Sequence, residues 1–128
     1  MKDSQKSKIE FINHASVLIS NNEIGLLSDP WYQGDAFHKG WNLMHDLSDD
    51  EIKGVLNRTT HIWVSHEHPD HFSVMFFIKF GDLIKKKGIE ILFQETSDKR
   101  VEGFLKSKNF KLQILKQNKW IKIEIPEI

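Results

Sequence analysis

The segment 66–71 reads His-Glu-His-Pro-Asp-His, so three imidazoles and two carboxylates lie within six residues, directly after the apolar run Ile-Trp-Val at 62–64. A short apolar run of this kind predicts a buried strand, and the polar residues then lie where the strand ends. Imidazole nitrogens and carboxylate oxygens together suit zinc, iron or manganese. Alternatively, Asp70 only caps the helix that follows, but a cap accounts for none of the histidines. The segment therefore predicts a metal site.

The spacing within this segment predicts room for two ions. In an extended chain His66 and His68 project to the same side and can bind one ion. Asp70 and His71 follow the bend at Pro69 and can turn toward a second ion close by. Two ions at such a separation would activate a water molecule between them.

Three stretches precede this segment in a characteristic order: Asn-His-Ala-Ser at 13–16, Ser-Asp-Pro-Trp at 28–31, and Gly-x-Ala-Phe-x-x-Gly-Trp at 34–41. With H-x-H-x-D-H at 66–71, the chain from 9 to 123 resembles the metallo-β-lactamase fold superfamily. Within it, the pattern is similar to the metal-binding domain of CMP-N-acetylneuraminate monooxygenases and their bacterial relatives. The resemblance implies an αββα sandwich, of which this chain supplies the N-terminal half.

The same resemblance implies roles for the ligand residues. His66 and His68 would hold the first metal, and Asp70 and His71 the second, with zinc favoured over iron and manganese. Asp70 would also be the catalytic residue, accepting a proton from the activated water. Glu67 is expected at the surface or beside the ligands.

Asp29 and His14 are candidate supporting residues. Asp29 ends a predicted central strand, where it either orients a ligating imidazole or caps the turn at Pro30. His14 lies in a loop that faces the pocket in the resembling proteins, so a substrate contact or a supporting contact competes with a purely structural role.

The aromatic residues of the long loop 31–45 allow two interpretations. Trp31, Phe37 and Trp41 either wall a substrate pocket or pack in the core. Elsewhere, three histidines have no partner at metal-ligand spacing and are predicted to be structural or exposed: His38, His45 and His61.

The chain also departs from the pattern of the resembling proteins. No histidine follows His71, whereas those proteins add a third histidine, a bridging aspartate and a further histidine. Two protein ligands per ion is fewer than the three usual in catalytic zinc sites. We therefore expect one domain over 1–128, incomplete at its C-terminus, that binds metal weakly and is inactive alone.

Three functions fit these observations. The first is a metal-dependent hydrolase-type domain that activates water and acts on a small molecule such as a phosphate- or nucleotide-linked sugar. The second is a sugar-nucleotide hydroxylase domain; because the chain has no cysteine, it holds no cysteine-ligated iron–sulfur cluster and would need a separate electron donor. The third is a truncated, non-catalytic remnant or interaction module.

Net charge and the lengths of apolar stretches limit the kinds of partner that the sequence predicts. The formal net charge is zero, so no overall electrostatic attraction to nucleic acid is expected. The lysines concentrated after residue 72 mostly alternate with apolar residues, which indicates a solvated face rather than a phosphate-binding one. No apolar stretch reaches the length of a membrane span or a signal-peptide core, so a cytoplasmic protein without membrane contact is expected.

Periodicity predicts an α/β fold with a mixed sheet and helices on one face. The first seven residues are predicted to be loose. The predicted strands are 8–12, 16–19, 24–28, 61–65, 89–93, 110–114 and 121–125, and the last two are joined as a hairpin. One predicted helix begins at a capping box at 48–51, and two further helices span 72–87 and 98–108. The sheet face without helices would be left open, which predicts a homodimer or a missing C-terminal half as its cover.

Overall fold

The computed structural model describes residues 6–37 and 39–125. Most of the predicted loose segment 1–7 and the predicted structural residue His38 therefore lie outside the described residues. The strands are β1 (Lys8–Asn13), β2 (Ser16–Ser20), β3 (Gly25–Ser28), β4 (Asp35–Ala36), β5 (Trp41–Asn42), β6 (His61–Val64), β7 (Glu90–Gln94) and β8 (Lys111–Leu115); the helices are α1 (Asp49–Asn57), α2 (Val74–Lys79), α3 (Gly81–Lys86) and α4 (Arg100–Ser107).

Six strands form one mixed sheet in the order β1-β2-β3-β6-β7-β8. The first three strands are antiparallel, as expected for strands joined by short turns, and β3, β6, β7 and β8 are parallel, as expected where helices make the crossovers. β4 and β5 form a separate short hairpin within the loop 31–45. The predicted mixed α/β fold is confirmed.

The helices pack on one face of this sheet. Leu27, Ile62 and Ile91 are paired neighbours across three strands, so their side chains share a face, and all are fully buried. They join one apolar cluster with Phe80, which lies between α2 and α3, and with residues from every helix: Ile52, Val55, Leu56, Phe76, Phe77, Ile84, Val101 and Leu105. α1 begins with the predicted capping box, in which Ser48 and Glu51 bond each other's backbone N–H.

Two predicted elements were wrong. The helix expected over 72–87 is two helices that meet at Phe80, where φ is −107° and ψ is 10°. The aromatic ring of Phe110 packs against Gly81, where an added Cβ would lie 3.1 Å from it, and a helix commonly bends at such a glycine. The strand expected over 121–125 is absent from the described residues, since alternating isoleucines form a strand only where a neighbour accepts the backbone hydrogen bonds.

The other face of the sheet is partly exposed. Ile9 pairs with Ile19, and Phe11 pairs with Val17, so these four side chains share that face. Ile9, Phe11 and Ile19 are exposed, whereas Leu92, farther along the sheet, is buried. None of the described helices is long and apolar enough to cross a membrane.

The topology brings three chain segments to one edge of the sheet. β1, β3 and β6 run in the same direction, because β2 is antiparallel to both β1 and β3, and β3 is parallel to β6. Their carboxyl ends therefore lie at the same edge. The residues just beyond those ends are His14, Asp29 and Ser65, so the predicted metal segment begins where two other candidate residues already lie.

Candidate metal centre

Asp70 lies at the centre of a cluster of imidazoles. Its Oδ2 is 3.0 Å from Nε2 of His14 and 3.3 Å from Nε2 of His71. One donor atom from each of the three residues lies within 4.8 Å of the others. The carboxyl end of β1 supplies His14, and the segment after β6 supplies the other two.

Asp29 fixes the orientation of His71. Its Oδ2 lies 2.9 Å from Nδ1 of His71 and accepts a hydrogen bond from the Ser65 hydroxyl at 2.8 Å, while its Oδ1 accepts the Ser65 backbone N–H at 2.7 Å. A carboxylate can only accept, so Nδ1 of His71 carries the proton and Nε2 is left toward Asp70. This is the arrangement that typically supports a metal-ligating histidine. Asp29 does not simply cap the turn at Pro30.

His66 and His68 form a second pair. Nε2 of His66 lies 3.2 Å from Nδ1 of His68, and Nδ1 of His66 lies 2.8 Å from the Ser65 hydroxyl. The ring of His66 also lies against that of His71, with centroids 4.1 Å apart. All four predicted ligand residues are therefore brought together, in two adjoining pairs.

The donor geometry fits a divalent metal. Two ligand atoms on one tetrahedral zinc at about 2.1 Å lie about 3.4 Å apart, and the three contacts described here fall close to that value. The contact between Nε2 of His71 and Asp70 also joins two acceptors, which is favourable only with a cation or a further proton between them. Mixed imidazole and carboxylate ligands suit zinc, iron or manganese.

Asp70 is buried, yet its ionised form is favoured over its protonated form. Burial alone would raise the pKa of Asp70, but the hydrogen bond with His14 and the nearby imidazole of His71 together lower it below its usual value. The group is thus anionic at neutral pH. Such a carboxylate adds charge attraction to any cation held by the neighbouring imidazoles.

The aromatic residues divide between the two predicted alternatives. Trp31 is buried, and its Nε1 donates to the Gly34 carbonyl at 3.2 Å, so it belongs to the core beneath the site. Its ring meets His14 edge to face, with centroids 4.9 Å apart. Trp41 is exposed and packs against Phe37, whose ring centroid lies 6.1 Å from that of His68. Trp41 and Phe37 therefore form a rim beside the imidazoles.

Other predicted residues lie apart from the ligands. His61 begins β6, whereas the site follows its end, and the His45 side chain is exposed. Glu67 is exposed, and its carboxylate lies 3.5 Å from Nε2 of His68. Sequence reasoning missed Ser65, which contacts Asp29, His66 and His71. In the sequence, its position directly before His66 was the feature that could have indicated these contacts.

Comparison with known proteins gives partial matches. The chain is 32% identical over 65 residues to the cytidine monophosphate-N-acetylneuraminic acid hydroxylase of Danio rerio, covering 51% of this chain and 11% of the relative. It is 35% identical over 66 residues to the enzyme of the same name from Asterias rubens, covering 52% of this chain and 10% of that one. The chain thus spans about a tenth of the length of these relatives. No protein-family model matches the chain.

A solved structure shares the fold. The crystal structure of a possible metal-dependent hydrolase from Veillonella parvula DSM 2008 superposes with a TM-score of 0.54 at 20% identity, covering 84% of this chain and 40% of that one. At this identity the match concerns the fold. Together the matches confirm the predicted likeness: this chain resembles the cytidine monophosphate-N-acetylneuraminic acid hydroxylases over about half its length, and it shares its fold with a possible metal-dependent hydrolase.

Proposed function

We propose that the chain is the metal-binding part of a metal-dependent hydrolase-type enzyme, with His66, His68, Asp70 and His71 as ligands. The observation that carries this is the support of His71 by Asp29, which leaves Nε2 of His71 directed at Asp70. A metal-ligating histidine typically donates its other ring N–H to a carboxylate in this way. A bound divalent ion would make water a better nucleophile near neutral pH and polarise the bond under attack.

The residues around the ligands have distinct tasks in this proposal. Asp29 and Ser65 hold the imidazoles of His71 and His66 in one orientation. Asp70, anionic at neutral pH, is placed to accept a proton from the attacking water. The buried side chain of Trp31 packs against His14 beside these ligands.

The substrate we propose is a small molecule with a ring, such as a nucleotide-linked sugar. The relatives are named for a sugar nucleotide, cytidine monophosphate-N-acetylneuraminic acid. Beside His68 a groove of about 460 Å³ runs past Phe72 and Phe104. The exposed rim of Phe37 and Trp41 lies on another side of His68 and offers flat faces to a base or sugar ring.

Metal analysis with matched variants tests this proposal. The protein would be loaded with zinc, dialysed and assayed for bound metal. We expect partial zinc retention in the unmodified chain, because each ion has two of the proposed ligands, and at least roughly a tenfold loss of affinity in His71→Ala, with His45→Ala unchanged. Equal retention by His71→Ala would contradict the proposal.

The second candidate is hydroxylation, which the 32% identity to hydroxylases favours. The same ligands suit iron, but the reaction needs electrons and dioxygen in addition to the metal. Iron-loaded protein, supplied with a chemical reductant and air, would then add one oxygen atom to the sugar nucleotide, detectable by mass spectrometry. Zinc-dependent release of the nucleotide without oxygen addition would instead favour hydrolysis.

A further inference from the structure

His14 lies in the turn between β1 and β2, remote in sequence from the H-x-H-x-D-H segment. The pairing of these strands shifts in register between Phe11 and Asn13, and His14 itself has a left-handed backbone with φ of 51°. These features turn the imidazole over the carboxyl end of the sheet. There its Nε2 reaches Oδ2 of Asp70 at 3.0 Å.

The His14 ring is held in place from several sides. Trp31 meets it edge to face at 4.9 Å between centroids, and Trp41 approaches from another side at 6.3 Å. Trp31 is itself fixed by its hydrogen bond to the Gly34 carbonyl. The ring therefore presents Nε2 to Asp70 without large rearrangement, which is the property required of a ligand.

We propose that His14 is a metal ligand, and that His14, Asp70 and His71 form a three-donor site that fills before the His66–His68 pair. This inference rests on the proposed function, since it assumes that a divalent metal binds here. It supplies one ion with three protein ligands, the number usual in catalytic zinc sites, where the sequence pattern alone offers two.

The order of filling follows from charge and burial. The three-donor site contains the Asp70 carboxylate, whose side chain is 7% exposed, and His71, whose side chain is 22% exposed and bonded to Asp29. Its third donor, His14, has a side chain that is 33% exposed. In the other pair, the His68 side chain is 58% exposed. Electrostatic attraction is stronger where water is excluded, and prior orientation lowers the entropy lost on binding. The first ion is therefore expected beside Asp70.

A hydrogen bond is the competing explanation for the His14 contact. In that case Nε2 of His14 carries a proton and donates it to Asp70, and His14 only positions the carboxylate. In the ligand case Nε2 carries no proton once metal is bound, and the proton resides on Nδ1. The distance of 3.0 Å suits both, but the location of the proton differs.

Nitrogen-15 NMR of histidine-labelled protein during a zinc titration separates the two cases. We expect the first equivalent of zinc to move Nε2 of His14 and His71 to metal-bound shifts, and His66 and His68 to respond only later. If zinc shifts His71 while Nε2 of His14 keeps its proton, or if His66 and His68 respond first, the inference fails and the proposed function survives. If zinc shifts no imidazole at all, both fail.

Paired variants at His14 provide an independent readout. Gln can donate a hydrogen bond to Asp70 but is a poor zinc ligand, whereas Glu can ligate, and both have the same length and the same backbone cost. We expect His14→Gln to weaken zinc binding at least tenfold and His14→Glu to retain more of it, by calorimetry. The reverse order would show that His14 acts through a hydrogen bond alone. His45→Gln serves as the exposed control.

Discussion

At the scale of single residues, replacing Asp29 should change both metal binding and the stability of the fold. It accepts three hydrogen bonds, from the Ser65 backbone, the Ser65 hydroxyl and the His71 ring, and it is buried. Asn fits the same space and tolerates the left-handed backbone at this position, where φ is 40°. It removes the charge and turns one acceptor into a donor.

We therefore predict that Asp29→Asn weakens zinc binding by about 10- to 100-fold and lowers the free energy of unfolding by about 1–3 kcal/mol. Calorimetric zinc titration and urea unfolding of the metal-free protein measure the two effects separately. Asp35→Asn, at an exposed carboxylate, is the control. Unchanged zinc affinity in Asp29→Asn would mean that Asp29 does not orient His71.

Burial of His61 predicts a pH dependence of the free energy of unfolding that does not involve the metal centre. The ring is 1% exposed, its Nδ1 lies 2.8 Å from the Thr60 hydroxyl, and its Nε2 lies 3.6 Å from Oε1 of Glu90. Burial lowers the pKa of His61 from 6.5, although Glu90 and the Glu124 backbone oppose the shift; Lys111 adds to it. Between pH 6.5 and the lower folded value, the unfolded chain binds more protons than the folded protein.

The free energy of unfolding should therefore fall as the pH decreases below about 6.5. His61→Gln removes the titrating group, so the variant should lose less stability between about pH 7 and about pH 5.5 than the unmodified chain. Urea unfolding of the metal-free proteins measures this difference. Identical pH profiles would show that burial of His61 does not govern stability, and His45→Gln controls for loss of an exposed histidine.

At the scale of elements, replacing glycine by alanine should destabilise the fold at one position and stabilise it at two others. A Cβ at Gly25 in β3 would lie 2.0 Å from the Arg58 carbonyl oxygen, a backbone atom of the turn before β6. A Cβ at Gly54 in α1 or Gly103 in α4 would meet nothing within 4 Å, and both residues are exposed.

Gly25→Ala should therefore destabilise the fold by roughly 1–3 kcal/mol or more, because backbone must move to relieve the clash. Gly54→Ala and Gly103→Ala should each stabilise it by about 1 kcal/mol through helix propensity, raising the thermal midpoint by roughly 3–6 °C. Thermal unfolding followed by circular dichroism compares all three. A midpoint for Gly25→Ala at or above that of the unmodified chain would contradict the described approach of β3 to Arg58.

Elements with local signals could be predicted from sequence. The Ser48–Glu51 capping box starts α1 as expected, and the 62–64 apolar run is a buried strand because both depend on neighbouring residues. The bend at Phe80 was not predicted; Gly81, which follows it, lies against the ring of Phe110, remote in the chain. The contact between His14 and Asp70 was equally hidden, because 56 residues separate them and only the sheet topology unites them.

At the scale of the whole molecule, the exposed part of the sheet predicts association. Ile9 and Phe11 are 74% and 68% exposed, on the face opposite the helices. Adjacent apolar side chains of this size are unusual on a monomer surface. The open face predicted from the sequence is therefore formed by β1 and β2. Ile91 and Phe93, in contrast, lie on the other face of the sheet, where the helices cover them.

We predict that this chain self-associates at high concentration, and that Ile9→Ser with Phe11→Ser shifts it toward monomer. Burying the two side chains contributes roughly 1.5–3 kcal/mol each. Sedimentation velocity over a concentration series measures the effect, and Ile78→Ser, at an exposed position on α2, is the control. A monomer at every concentration would show that this face does not bind a second copy.

The left-handed backbone at His14 sets stability against function in any directed evolution of this chain. A non-glycine residue in that conformation costs folding free energy, of order 1–3 kcal/mol, which glycine would recover. A library screened only for heat resistance should therefore enrich glycine at position 14. Such variants would fold better and lose the imidazole, so heat resistance and metal chemistry must be selected at the same time.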